Sequence, residues 1–145
     1  MTTVNHAATG AAIAITINSW WALPIALVSH FILDSLPHSK LKKNEVWAEI
    51  FMATLLTVSL SLLLRDKFSG WLVFWSAFIS TSPDLVWGAR YFRFKQQRSK
   101  ITTEQMSTFS RWHIAIQWSE SRRGIIVEVI WLALMLVYIW SRYNS

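Results

Sequence analysis

The chain has 145 residues, enough for one domain. Hydrophobic residues make up 53% and charged residues 15%, against roughly 25% charged in a soluble domain, and ten tryptophans suit side chains placed at membrane–water interfaces. The long apolar runs point to an integral membrane protein. The absence of cysteine excludes disulfides, thiolate metal ligands and a cysteine nucleophile. Formal net charge is +6, and the excess is gathered between Arg90 and Arg123. In a membrane protein such a run reads as a cytoplasmic loop against anionic lipid headgroups, and nucleic acid is not expected as a partner. The first residues lack the positive start of a cleavable signal, so the N-terminal apolar stretch is expected to stay in the mature protein.

From about Asn5 to Ile17 the sequence predicts a helix rich in Ala and Gly, residues that allow close helix packing. Asn18-Ser19 reads as a turn and cap, and Trp20-Trp21 as an interfacial anchor. Pro24 suits the first turn of a second helix, running to about Leu36. Both are shorter than the ~20 residues of an ordinary span, so they either tilt or form a re-entrant hairpin. Pro37 and the lysines after it make a polar break. A third helix, from about Asn44 to Leu64, is long enough to span. After the loop Arg65-Asp66-Lys67, a fourth helix begins near Phe68 and reaches Thr81. Ser82-Pro83-Asp84 is expected to interrupt it, with helix resuming through Arg93. Thr102 to Gln105 resembles a capping box, and Met106, Phe109, Trp112 and Ile116 recur at helical spacing, as in an amphipathic helix lying on a membrane. Gly124 to Trp140 reads as the last span. The expected fold is all-α: one membrane-embedded bundle of four to five helices with one interfacial helix.

His30, Asp34 and His38 recur at i, i+4 and i+8, a spacing that drifts by only about 40° per step on a helix, so they are expected to share one face. Ionisable groups are costly in apolar segments unless partnered, and a divalent cation partners three at once. The plain alternative is a polar helix end at a membrane surface. With the basic segment placed in the cytoplasm, alternation of the spans puts His6, His30, Asp34, His38, Asp84, His113, Glu49 and Glu128 all on the inner side. Each has an ordinary reading as well. His6 suits a polar helix start, and His38 a helix end favoured by the dipole. Ser82-Pro83-Asp84 is a normal helix start. His113 suits a surface. Glu128 has Arg122 and Arg123 nearby in sequence, and Glu49 has Lys42 and Lys43.

The elements His6-x-x-x-Gly10, His30-x-x-x-Asp34-x-x-Pro37-His38, Ser82-Pro83-Asp84, Trp112-His113 and Arg123-Gly124-x-x-x-Glu128 resemble the bacterial membrane-bound metal-dependent hydrolases. That family is similar in pattern to the zinc-dependent phospholipase C group, which is all-helical and binds its metals through His and Asp. The resemblance covers His6 to Glu128. It implies metal-ligand roles for His6, His30, Asp34, His38 and Asp84, with His113 and Glu128 as further site residues. This chain is short for the broad group and has few histidines, which favours one or two metal ions over three.

The function expected is a metal-dependent hydrolase in the bacterial inner membrane, its site facing the cytoplasm, acting on a phosphoester or lipid-like ester. The cation, expected to be zinc, lowers the pKa of water and polarises a substrate oxygen. Asp34 or Asp84 would orient or deprotonate that water, with His113 and Glu128 assisting. The alternative is a non-catalytic membrane protein in which the His/Asp cluster is a structural metal site or a polar network. A transporter would carry polar groups along a path across the bilayer, whereas here they collect on one side.

Overall fold

The computed structural model describes residues 1–38, 46–96, 108, 111–112, 115 and 124–145. The described residues include five helices: α1 (Thr3–Ile17), α2 (Ala22–Asp34), α3 (Val46–Leu63), α4 (Gly70–Gln96) and α5 (Gly124–Asn144). No strand element occurs among the described residues. Helix α1 packs against all four others and is the buried axis of the bundle. Its alanines explain why: Ala7, Ala8, Ala11, Ala12 and Ala14 are all buried, and small side chains let four helices approach one central helix.

Helices α1 and α4 approach closely at Gly10. A Cβ there would lie 2.5 Å from the Ser76 carbonyl oxygen and 2.8 Å from the Ala77 Cα, so no other residue fits without moving a backbone. This contact sets α1 against α4. Four residues along α1, His6 comes 4.0 Å from Asp84 on α4, so the two helices run antiparallel. Helix α5 runs parallel to α1. The Trp131 indole donates to Thr9 Oγ1 at 2.9 Å, and Thr16 Oγ1 meets the Tyr138 hydroxyl at 2.8 Å. Each helix advances seven residues between these two contacts, the repeat that keeps one seam facing its partner.

Asn18 ends α1 in the left-handed region, at φ 46°, with its N–H on the Ala14 carbonyl. Asn tolerates that conformation better than most residues, as the sequence suggested. Two other expectations change. Helix α2 ends at Asp34, so His38 lies beyond it and does not continue the face of His30 and Asp34. The residue before a proline is pushed out of the helical region, and Leu36 precedes Pro37. Conversely, Ser82-Pro83-Asp84 does not interrupt α4, which runs continuously through Pro83. Proline deprives the carbonyl four residues back, that of Ile79, of its N–H partner. The Ser82 hydroxyl donates to that oxygen at 2.9 Å and replaces the lost bond.

Among the described residues, only α5 is by itself long and apolar enough to cross a membrane, while α2 and the apolar part of α3 are shorter. The expected interfacial helix lies mostly outside the described residues. Within it, Arg111 and Trp112 are helical, and the Trp112 ring lies 4.9 Å from that of Phe31.

Gly10→Ala is expected to destabilise the protein by about 1–3 kcal/mol, because the added carbon meets backbone. Ser82→Ala should cost about 1–2 kcal/mol by leaving the Ile79 carbonyl unpaired. Thermal unfolding of the purified variants checks both, and wild-type stability of Gly10→Ala would contradict the close contact.

Candidate functional site

The ends of the helices that gather at one pole of the bundle carry the ionisable groups. The start of α1 brings His6, the end of α2 brings His30 and Asp34, and α4 brings Asp84 from just beyond Pro83. The starts of α3 and α5 bring Glu49 and Glu128. His6, His30 and Asp34 are fully buried, Glu128 is buried, and Asp84 and Glu49 are partly covered.

The two imidazoles stack, with ring centroids 4.1 Å apart and planes inclined by 29°. Both direct Nε2 at carboxylates. His6 Nε2 lies 3.0 Å from Asp34 Oδ1 and 4.0 Å from Asp84 Oδ2. His30 Nε2 lies 3.2 Å from Asp34 Oδ2 and 3.7 Å from Asp84 Oδ1. His6, His30 and Asp84 each offer a ligand atom within 4.8 Å of the others, so the group can hold a metal ion. The α-ammonium nitrogen of Met1 also reaches Asp34 Oδ1, at 2.6 Å, with both groups buried.

Hydrogen bonding fixes one proton of His30. Its Nδ1 lies 2.8 Å from the Ser80 carbonyl oxygen, which only accepts, so Nδ1 carries the proton and donates it. The Nε2 that faces two carboxylates is then either protonated as well or a lone pair. A lone pair pointing at carboxylate oxygens needs a cation between them. A ring N–H donated to a backbone carbonyl, leaving the other nitrogen free, is the usual outer support of a metal-bound histidine.

Glu49 and Glu128 act on the backbone. Glu128 Oε1 accepts from the Thr2 N–H at 2.9 Å, and Glu49 Oε2 accepts from the Thr3 N–H at 3.0 Å. The first N–H groups of a helix have no intrahelical partner and carry its positive dipole end, so carboxylates stabilise them. Helix α1 has no side-chain cap of its own from Thr2, and α3 and α5 supply the acceptors instead. Glu49 and Glu128 therefore pin the helix that carries His6.

Of the residues singled out from sequence, the structure brings together His6, His30, Asp34 and Asp84, with Glu49 and Glu128 at the start of α1. His38 is not in the group that can hold a metal: its Nδ1 donates to the Leu36 carbonyl at 2.8 Å. Its backbone lies against Gly124, which leaves no room for a side chain there. His113 and the basic residues Arg98, Lys100, Arg122 and Arg123 lie outside the described residues, as do Lys42 and Lys43. No residue pattern announces the Ser80 carbonyl, a backbone atom without residue signature, or the Met1 contact. Compared with known proteins, the chain matches no family model, no curated protein and no solved structure.

Asp34 meets three nitrogens in a buried place, the Met1 ammonium and the two imidazole Nε2 atoms, so Asp34→Asn should lower stability by about 3 kcal/mol, the range for breaking a buried pair. Chemical or thermal unfolding measures this. A loss below about 1 kcal/mol would mean that Asp34 does not organise the cluster.

Proposed function

We propose that the protein is a membrane-embedded metal-dependent hydrolase that acts on a phosphoester or lipid-like ester at the cytoplasmic face, with zinc at the His6–His30–Asp84 group and Asp34 beside it. The observation that carries this reading is the His30 ring. Its Nδ1–H is committed to the Ser80 carbonyl, so Nε2 is presented to Asp34 and Asp84 as a ligand would be. Two imidazole nitrogens and a carboxylate are a donor set that suits zinc. The resemblance to the membrane-bound metal-dependent hydrolases, carried by the same residues, points to the same chemistry.

The surface supports a bilayer setting. Phe51, Leu62, Ile126, Val129 and Val137 are exposed large hydrophobic residues on α3 and α5. Exposed tryptophans lie toward both poles. Trp20, Trp21, Trp71 and Trp140 sit at the pole away from the cluster, and Trp47 and Trp112 toward the cluster pole. Two tiers of this kind match the two interfaces of a membrane. The Lys/Arg excess between Arg90 and Arg123 assigns the cluster pole to the cytoplasm.

A bound zinc ion would lower the pKa of water and polarise a substrate oxygen. The chain's own parts are then clear. His30 is oriented by Ser80, His6 by the stacking and by the pinned start of α1. Asp34 and Asp84 bear negative charge beside the imidazoles, and Asp84, 23% exposed where Asp34 is sealed, is the carboxylate in reach of solvent and substrate. It is assigned the task of holding or accepting the proton of the attacking water, once the substrate is in place. His113 and Glu128 remain assisting candidates, Glu128 chiefly by fixing α1. The second reading, a non-catalytic polar network, is favoured by one observation: the Met1 ammonium already neutralises Asp34.

Elemental analysis of the purified protein decides between them. Wild type should contain about one metal ion per chain, and His30→Ala should weaken zinc binding by more than about 100-fold, since outer-support losses alone cost 10–100-fold. Equal metal content in wild type and His30→Ala, with normal folding, would leave the polar network as the reading. Hydrolysis of phosphodiester and lipid substrates that tracks metal content completes the test. For the membrane side, Ser99→Cys should resist labelling from outside intact cells, and labelling there would reverse the assigned orientation.

A further inference from the structure

Two serines on α4 differ from most of the buried and half-buried hydroxyl residues around them. Thr9, Thr16, Thr54, Ser61 and Thr81 each donate to a carbonyl one turn back in their own helix. That is the default for a hydroxyl in an apolar helix, because nothing else nearby accepts. Ser76 and Ser80 are fully buried, and their Oγ atoms have no partner among the described residues. Two atoms on α1 share this condition, Asn5 Oδ1 and His6 Nδ1, and His6 is the one that meets Ser80 through the stacked His30 ring.

The antiparallel pairing of α1 and α4 sets these residues along one seam. Gly10 lies on the Ser76 backbone, and α1 and α4 run antiparallel. One turn from Gly10 toward the start of α1 is His6, and one turn from Ser76 toward the cluster is Ser80. The His6 ring stacks on His30, whose Nδ1 sits on the Ser80 carbonyl. The Ser80 residue is therefore beside both rings. In an imidazole, Nδ1 adjoins the carbon that joins the ring to the chain. With Nε2 directed at the carboxylates, Nδ1 is on the part of the ring nearer the α1 backbone.

An unpartnered ring nitrogen and two unpartnered hydroxyls, all sealed from solvent, would cost about 1–3 kcal/mol each if left so. Buried polar groups that do not reach one another are commonly joined by an ordered water, which needs two to four polar partners. We propose that a buried water in the α1–α4 seam joins His6 Nδ1 to the Ser80 hydroxyl, with the Ser76 hydroxyl as its further partner. Ser80 is thereby a positioning residue for both histidines, through its carbonyl to His30 and through its hydroxyl and the water to His6. The direction of the His6 bond rests on the metal reading above: with Nε2 given to a cation, Nδ1 carries the proton and donates it to the water. The water itself does not rest on that reading, because it also donates to a bare Nδ1.

The test uses full-length protein with 15N-labelled histidine, in wild type, Ser80→Ala, Ser76→Ala and the control Thr54→Ala, whose hydroxyl is bonded within its own helix. Two quantities are read: the 15N chemical shift of His6 Nδ1, assigned by its loss in His6→Ala, and zinc affinity by chelator competition. Ser80→Ala should move the His6 Nδ1 signal, leave that of His38 in place and weaken zinc binding about 10-fold, as loss of an outer partner does. Thr54→Ala should change neither. An unchanged His6 signal in folded Ser80→Ala overturns the proposal. Should Ser80→Ala fail to fold, the same signal is read in Ser76→Ala, with the same decision. If wild type binds no zinc, the hydrolase reading fails, while the Nδ1 signal still decides the water.

Discussion

Gly10 is the point where α1 and α4 meet backbone to backbone, and the placement of the histidine cluster follows from that contact. With a Cβ excluded at 2.5 Å from the Ser76 carbonyl, the interhelical distance has a single setting. His6, one turn away on α1, is then brought level with Asp84 and with the part of α4 that orients His30. A larger residue at position 10 would separate the helices where the two imidazoles have to touch. Close packing fixes relative position in a way that the polar contacts alone would not, since hydrogen bonds tolerate more distance and angle than touching backbones do.

Around that contact the polar groups divide into two kinds of work. One kind holds the scaffold. Glu49 and Glu128 take the free N–H groups at the start of α1, and Ser82 replaces the bond that Pro83 removes from α4. The other kind faces inward and meets in one place, where His6 and His30 confront Asp34 and Asp84. The first kind makes the second affordable, because ionisable groups survive burial only when neighbours with fixed positions share their charge. Glu128 shows how near the two are: a carboxylate that reads as a site residue from its sequence context works on the backbone of the helix that carries His6.

The two poles of the bundle also differ in chemistry. One gathers histidines and carboxylates, while the other closes on leucines, Tyr143 and an exposed Arg65–Asp66 pair at 3.5 Å, which contributes little because water screens it. The sides between the poles are apolar and open.

The sequence by itself determined the all-α class, the order of the helices, the cap at Asn18 and the gathering of His6, His30, Asp34 and Asp84, because these follow from local patterns and from alternation of helix direction. Its reading of α4 as broken at Pro83, and of His38 as a third residue on the face of His30 and Asp34, did not survive folding. Both outcomes depended on which carbonyl a neighbouring hydroxyl reached and on where a helix stopped, which spacing alone does not encode. Only the tertiary structure decided that Glu49 and Glu128 cap α1, that Ser80 orients His30, and that the Ser76 and Ser80 side chains are sealed from solvent. Those contacts join residues distant in sequence, several through backbone atoms that every residue shares, so no residue type announces them.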